Sequence, residues 1–393
     1  MKKLHVAFIS YPFPAFVNPT LPLVSTLIRR GYRVSYATTD AFSARFAALG
    51  AEIVACPAMQ LDERFGEGED RDGRELQRFF SPMIESVPKL VDFYSENRPD
   101  VILHSNLAVG GHIVAARLGI PNIQFYSTFA LDRNNLFRQI RDARYRQEIS
   151  DASRQFDRLL EQHGVASRDF FFTRGKLSIY FFPRVLQPVG EAFGSDCIFA
   201  GRCAGEQSYW ENWRSPDADG RPVVLVATST MYVRGPEYFR MCVEALKDLP
   251  VHVILSIGDK GQPEWYGALP PHIETLKGIP HAQILPHADL FVFLSGTIST
   301  SEAMYHGVPM LITSHGFKEL EWQGENIDSL GIGLHLRKSD TSASAIAYFA
   351  NQILSDSALH ERVRSVRDIV RRDVGAEELA NRVEEYMAEV GIG

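Results

Sequence analysis

The chain has 393 residues, of which 45% are hydrophobic and 23% are charged, and it carries a formal net charge of −7. This length predicts about two domains, and the composition is that of a soluble globular protein. The negative charge argues against a surface that binds nucleic acid or an anionic membrane. No apolar stretch approaches the roughly 18 residues that a membrane-spanning helix needs.

The N-terminus and the cysteines bear on the cellular compartment. An apolar run follows two lysines in the first ten residues, but Tyr11-Pro12 breaks it and no Ala-x-Ala cleavage site follows. We therefore predict a first strand there rather than a signal peptide. The four cysteines are scattered without CxxC spacing, which indicates neither a zinc site nor a disulfide framework. We expect a cytoplasmic protein without a metal site.

The first half of the chain predicts alternating strands and helices. Residues 4–10 are rich in β-formers, Asn18-Pro19 starts a helix that Gly31 ends, and residues 32–38 form the next strand. This unit opens a doubly wound sheet, whose ligands bind beyond the carboxyl ends of the strands. Further strands are predicted at 51–55, 100–104 and 121–126. Helices are predicted at 42–50 and 110–118, together with one long helix that ends at residue 97. Residues 60–73 predict a mobile loop over the site.

Two other segments of this half stand out by composition. Residues 132–163 are strongly charged with a helical period, and they predict either a solvated helical hairpin or a lid over an acceptor. The aromatic clusters at 170–172 and 180–182 predict core packing rather than a platform for a ligand.

The polar segment between Cys203 and Arg221 predicts the domain boundary. A second α/β series follows, with strands at 223–227, 251–257, 273–276 and 310–313, a helix at 236–247 and two helices that close the chain. The predicted fold class is therefore α/β, with two doubly wound Rossmann-like domains facing a cleft. We assign 1–205 to an N-terminal domain, 221–378 to a C-terminal domain, and 379–393 to a helix that packs back on the first domain.

The stretch 289–309 carries the strongest indication of a ligand. A buried parallel strand is predicted up to Leu294, then a loop of hydroxyls and one glycine over 295–300, and then a helix that begins at Ser301. Because a helix N-terminus has unpaired N–H donors and the positive end of the dipole, this loop is suited to a phosphate. The alternative is that the serines and threonines merely cap the helix, since capping selects the same residues.

With these elements in order, the chain resembles the GT-B glycosyltransferases of family 1, in the bacterial macrolide-type branch that uses UDP- or TDP-sugars. The resemblance covers nearly the whole chain and is carried by FVNPTLPLVSTLIRRGYRVSYAT, PDVILHSNLAVGGHIVAARLGIP, VVLVATSTMYVRGPEYFRMCVEAL, ADLFVFLSGTISTSEAMYHGVPML and ENIDSLGIGLHL. It implies the GT-B fold and transfer of a sugar, without metal, from a nucleotide diphosphate to a hydroxyl of a small, mostly apolar acceptor.

The resemblance also indicates that the catalytic positions are replaced. It places Phe16 where the family has its general-base histidine, and Ser105 where it has the aspartate that orients this base. A phenyl ring cannot accept a proton, and the residue that orients an imidazole is lost with it. His104, His112 and His315 are candidate replacement bases, although a lone histidine is more often packed in a core or placed on the surface.

The donor side departs from the family as well. The resemblance places Leu294 at a histidine that contacts the diphosphate, Gly278 at a stacking tryptophan, and His281 at a glutamine. The family's Asp-Gln pair, which holds sugar hydroxyls, corresponds at best to Trp322-Gln323, with Glu321 beside it as an acidic substitute. Besides His281, Glu321 and Gln323, the expected donor-binding residues are Asn18, Thr228, Ser229, Ser295, Gly296, Thr297, Ser299, Thr300 and Glu302.

Three functions stay open at this point. The first is sugar transfer to a natural-product type of acceptor, where an acidic phenol, carboxylic acid or enol supplies its own oxyanion. The second is a repurposed enzyme of the same fold that acts on a different anionic small molecule, and the third is a non-catalytic homologue that binds or activates a partner enzyme. We expect no cofactor besides a nucleotide-diphosphate sugar as co-substrate, and a homodimer stays open.

Overall fold

The computed structural model describes residues 3–56, 74–205, 219–228, 236–258, 261–278, 281–314 and 318–393, with the backbone alone for 74–79. The predicted mobile loop at 60–73, Ser229 and His315 lie outside the described residues. The chain divides into two compact units, residues 1–203 with 374–393 and residues 204–373. None of the described helices combines the length and the apolar character that a bilayer span requires.

A parallel sheet of seven short strands forms the centre of the first unit. The strands are β1 His5–Ile9, β2 Arg33–Thr38, β3 Glu52–Ala55, β4 Val101–Ser105, β5 Asn122–Tyr126, β6 Ser178–Tyr180 and β7 Cys197–Phe199. Their order is β3-β2-β1-β4-β5-β6-β7, so the strand order reverses at β1, where the ligands of such sheets bind. Every residue of β1 and β4 is buried, as expected where helices cover both faces.

The helices of this part of the chain are α1 Pro14–Val17, α2 Leu21–Arg29, α3 Asp40–Leu49, α4 Arg74–Glu85, α5 Val87–Glu96, α6 Val109–Leu118, α7 Leu136–Gln139, α8 Ala143–Gln162 and α9 Gly201–Gly205. α8 is strongly charged, but it turns one apolar face inward through Phe156 and Leu160. The predicted helical hairpin over 132–163 is therefore a single turn, α7, followed by one 20-residue helix.

A second parallel sheet, of six strands, forms the centre of the other unit. The strands are β8 Val223–Ala227, β9 His252–Ser256, β10 Ile273–Leu276, β11 Leu290–Phe293, β12 Met310–Thr313 and β13 Gly333–Leu336, in the order β10-β9-β8-β11-β12-β13. The helices are α10 Pro236–Leu246, α11 His281–Ile284, α12 Thr297–His306, α13 Lys318–Leu330, α14 Ala343–Ser355 and α15 Ser357–Val370. The two helix-covered parallel sheets confirm the predicted pair of doubly wound domains.

The last helix, α16 Ala376–Glu389, belongs to the first unit. It packs along α2, where the Arg30 guanidinium lies 2.7 Å from Glu377 and 2.9 Å from Glu384. At its other end the Tyr386 hydroxyl donates to the Asn122 carbonyl at 2.9 Å.

Several element boundaries differ from the predictions. The helix start predicted at Ser301 is wrong, because Gly296 turns the chain at φ +148° and the Thr300 N–H already donates to its carbonyl at 2.9 Å. The single helix predicted up to residue 97 is two helices, α4 and α5, and Pro88 lies in the first turn of the second. The strands β6, β7 and β13 were not predicted; β6 and β7 have three residues each, which is too few to show a period.

Candidate functional site

The site in the second unit is built on the turn between β11 and α12. Ser295 adopts φ +85°, an uncommon backbone conformation for a residue with a side chain, and Gly296 follows as the N-cap residue of α12. Gly296 has no side chain with which to cap this helix N-terminus. The N–H groups of its first turn therefore have no acceptor within the helix, and they form the positive end of the helix dipole.

Two buried hydroxyls beside this helix N-terminus lack partners. Thr297 and Thr300 are 4% and 2% exposed, and the Oγ1 atom of neither has a hydrogen-bond partner among the described residues. Burying an unpaired hydroxyl costs free energy, so such groups point to an absent ligand or water. Together with the free N–H groups, they offer what a phosphate requires. The capping alternative is disfavoured, because neither hydroxyl makes a capping bond.

One side of the turn is connected to α11 through His281. Its Nδ1 lies 3.4 Å from the Ser299 hydroxyl, and its ring contacts the edge of Phe291. Burial lowers the pKa of His281 to about 4, so the imidazole is neutral at pH 7. A neutral ring can orient the Ser299 hydroxyl but adds no charge to attract an anion.

The other side of the turn is connected to α13. The Ser295 hydroxyl donates to Gln323 Oε1 at 3.1 Å, and the Gln323 amide donates to Glu319 Oε1 at 3.3 Å. Burial raises the pKa of the Glu319 carboxyl. Glu321, which was predicted here, instead lies 3.8 Å from the Lys318 ammonium. Glu319 was not predicted, although its spacing of four from Gln323 on a helix is the signal that identifies it.

The remaining predicted donor residues are placed as follows. Glu302 is buried on α12, and burial raises the pKa of its carboxyl to about 8. At pH 7 it is therefore largely protonated and does not repel an anion. Thr228 directly follows β8 and is half-buried. In the first unit, Asn18 accepts a hydrogen bond from Arg45 at 2.9 Å.

Phe16 and Ser105, which were predicted to stand at the family's base and orienter positions, contact the same neighbour in the first unit. The Tyr11 N–H donates to the Ser105 hydroxyl at 2.9 Å, and the Tyr11 ring packs edge-on to Phe16 at 6.0 Å between centroids. Phe16 is 1% exposed and Ser105 is fully buried. In this structure both side chains serve core packing, with one structural hydrogen bond at Ser105.

The candidate replacement bases differ in their surroundings. His104 is buried, with Nδ1 3.2 Å from the Ser105 carbonyl and Nε2 3.2 Å from Asn122 Oδ1. Burial and the neighbouring His112 lower the pKa of His104 to about 3, which favours the packed alternative for this residue. His112 is half-buried between His104 and Phe170, and its buried Nδ1 has no partner among the described residues.

Two polar groups at the carboxyl edge of the first sheet were not predicted as site residues. Asn106 directly follows β4 and Ser127 directly follows β5, and both side chains are buried. Asn106 Oδ1 and Ser127 Oγ have no hydrogen-bond partner in the described part of the chain. Their position one residue beyond a buried strand is the sequence signal, and they mark where a ligand of this unit would be held.

Comparison with known proteins agrees with this arrangement. Residues 240–386 match the family described as Erythromycin biosynthesis protein CIII-like, C-terminal domain. The chain is 30% identical to an NDP-glycosyltransferase of Bacillus licheniformis, with 99% of each chain covered. It is 28% identical to the demethyllactenocin mycarosyltransferase of Streptomyces fradiae, over 97% of this chain and 86% of that one.

Solved structures of glycosyltransferases are also similar to this chain in fold and in sequence. The calicheamicin glycosyltransferase CalG4 matches with a TM-score of 0.81 at 26% identity, covering all of both chains. The glycotransferase of kitacinnamycin matches with a TM-score of 0.83 at 26% identity, over 98% of this chain and all of that one. Since the similarity in sequence and in fold extends over nearly the whole length, the chain belongs to the GT-B glycosyltransferases of family 1.

Proposed function

We propose that this chain transfers a sugar from a nucleoside diphosphate to an acidic oxygen of a small organic acceptor. The observation that carries the donor half is the N-terminus of α12, where the first N–H groups lie beside two buried hydroxyls that have no partner among the described residues. The names of the relatives, an NDP-glycosyltransferase and a mycarosyltransferase, support the same class of reaction.

In this reaction the bond between the anomeric carbon and the diphosphate oxygen breaks while the acceptor oxygen bonds to that carbon. Negative charge then develops on the leaving diphosphate. The N–H groups of α12 and the hydroxyls of Thr297 and Thr300 stabilise this charge, and they do so without reorganisation because the fold fixes them.

The proposed class of acceptor follows from the residues at the predicted base and orienter positions, Phe16 and Ser105. General-base catalysis contributes roughly 100-fold to 10,000-fold, and neither Phe16 nor Ser105 can provide it. An acceptor with an acidic oxygen needs less of this contribution, because its oxygen loses the proton more readily than that of an alkyl alcohol. We therefore propose a phenol, an enol or a carboxylic acid as the nucleophile, rather than an alkyl alcohol.

A second candidate function is binding of a nucleotide sugar or its acceptor without transfer, as a partner to another enzyme. The packing of Phe16 and Ser105 around Tyr11 supports it, because both predicted catalytic positions then contribute to the stability of the fold. The two candidates differ in turnover but not in donor binding.

Calorimetric titration of the whole chain with UDP, TDP and their glucose conjugates tests the proposal. Binding of at least one of these nucleotides is expected, and a ligand at 100 times its dissociation constant would also stabilise the fold by about 2.7 kcal/mol. Product analysis by mass spectrometry with a phenol then separates the candidates, because glycoside is expected only if transfer occurs. Absence of binding to every nucleotide would refute sugar transfer and would also refute the binding of a nucleotide sugar.

A further inference from the structure

An exposed tryptophan stands at the ligand edge of the second sheet. Trp265 lies in the short 3-10 helix Pro263–Tyr266 between β9 and β10, and its side chain is 44% exposed. The two strands end side by side, since Ser256 pairs with Leu276 and the Ile257 N–H donates to the Leu276 carbonyl at 3.0 Å. Both following segments therefore leave the sheet at its carboxyl edge, where ligands of parallel sheets bind.

The segment that carries Trp265 is folded against this edge. A Cβ atom on Gly261 would lie 2.3 Å from the Ile257 carbonyl oxygen, so the chain returns to the strand end as closely as glycine alone permits. The next residue, Gln262, accepts a hydrogen bond from the Lys277 ammonium at 3.3 Å. Trp265 follows Gln262 by three residues, in the 3-10 helix that begins at Pro263.

The backbone of Trp265 is fixed, but its ring is not covered. Arg240 donates to the Trp265 carbonyl through Nε at 2.9 Å and through Nη2 at 2.7 Å. The neighbouring Tyr266 packs edge-on to Phe239 of α10 at 5.6 Å. The indole itself makes no aromatic contact with any described residue. A large flat ring that is held rigidly and left exposed at a ligand edge is suited to stacking.

Along the carboxyl edge of the sheet, the polar groups of the site come after Trp265 in the order of the strands. After Lys277 and Gly278 the chain reaches His281, whose imidazole is 3.4 Å from Ser299 in the first turn of α12. Beyond that turn, the Ser295 hydroxyl donates to Gln323 on α13. An aromatic ring, an anion-binding helix N-terminus and an amide thus follow one another along the edge. A nucleoside diphosphate sugar has its base, its phosphates and its sugar in this order.

We propose that the Trp265 indole stacks on the base of the nucleoside diphosphate. This inference rests on the proposed donor and extends it by assigning the base to the Trp265 side of the site. It also supplies a stacking ring that Gly278 lacks. The resemblance places Gly278 at the family's stacking tryptophan, and at φ +65° a residue with a side chain would be strained there. Stacking tolerates any base, because each one has a flat face, so uracil and thymine are both expected to bind.

Calorimetric titrations of the whole protein test this inference with UDP, TDP and inorganic pyrophosphate, which has no base. The variants are Trp265→Ala, Trp265→Phe and the control Tyr348→Ala, which removes a ring that is 66% exposed on α14. We expect Trp265→Ala to weaken UDP and TDP by about 5-fold to 150-fold and to leave pyrophosphate unchanged. Trp265→Phe is expected to restore most of the affinity, and Tyr348→Ala to bind as the wild type does.

Each other outcome has a definite meaning. Wild-type affinity of Trp265→Ala for UDP and TDP would overturn the inference and leave the proposed function intact. An equal loss for pyrophosphate would also overturn it, because the ring would then act on the structure of the site rather than on the base. If the wild-type protein bound none of the three ligands, the proposed function and this inference would fall together.

Discussion

Replacing the two unpartnered threonines by valine separates a ligand-binding role from a structural one. Valine has nearly the shape of threonine but no hydroxyl, and in the described part of the chain neither Thr297 Oγ1 nor Thr300 Oγ1 has a partner that the change would orphan. The substitution removes a buried polar atom whose desolvation costs about 1–3 kcal/mol. We therefore expect Thr297→Val and Thr300→Val to leave the free energy of unfolding unchanged or to raise it by about 1 kcal/mol.

The same substitutions should weaken donor binding. A hydrogen bond to a charged group contributes about 1.5–3 kcal/mol, which corresponds to roughly 10-fold to 150-fold in the dissociation constant for UDP or TDP. Urea unfolding and calorimetric titration measure the two effects on the same samples. Ser301→Ala is the matched control, because the Ser301 hydroxyl already donates to the Thr297 carbonyl and we expect its loss to leave affinity unchanged. Valine variants that unfold more easily but bind normally would show that the hydroxyls serve the helix, and the anion site would be refuted.

Three further variants test other parts of the interpretation. Phe16→Ala should lower the free energy of unfolding in urea by about 3–5 kcal/mol, because the ring is buried against Tyr11; a loss below 1 kcal/mol would indicate a ligand pocket instead. Phe16→His with Ser105→Asp should not yield efficient transfer to alkyl alcohols, since polar groups would enter a packed core; rapid turnover by this double variant would refute that view. Glu302→Gln should reduce the pH dependence of stability: a carboxyl with its pKa raised from 4.5 to about 8 stabilises the fold fully below pH 4.5, and this contribution is lost as pH rises to about 8. Parallel stability profiles of wild type and Glu302→Gln over that range would contradict the raised pKa.

The parts of this structure that sequence predicts are the local ones. The alternation of short apolar strands with helices indicated both sheets, and a strand followed by hydroxyl residues indicated the helix N-terminus after β11. Even there the boundary was wrong by four residues, because Gly296 rather than Ser299 or Thr300 ends the turn. Local pattern identifies the hydroxyls, but only packing decides which of them lack partners.

The parts that sequence does not predict depend on distant contacts. Glu319 and Gln323 reach the turn because α13 follows the neighbouring strand β12, and the contact with Ser295 spans 28 positions in the chain. The burial of Phe16 and the bond from Tyr11 to Ser105 depend on how the segments after β1 and β4 meet, 94 positions apart. The bond from Lys277 to Gln262, three residues before Trp265, likewise requires the register of β9 with β10.

Transfer to acceptors of graded acidity tests the proposed reaction most directly. The measurement is the rate of glycoside formation from a UDP- or TDP-sugar with a series of substituted phenols and with an alkyl alcohol of similar size. Because the acceptor supplies its own oxyanion in the proposed reaction, the rate should rise with the acidity of the phenol and with pH until the phenol is ionised, and the alcohol should react at least 100-fold more slowly. Equal rates for alcohol and phenols, or no glycoside from any phenol, would contradict sugar transfer to an acidic oxygen.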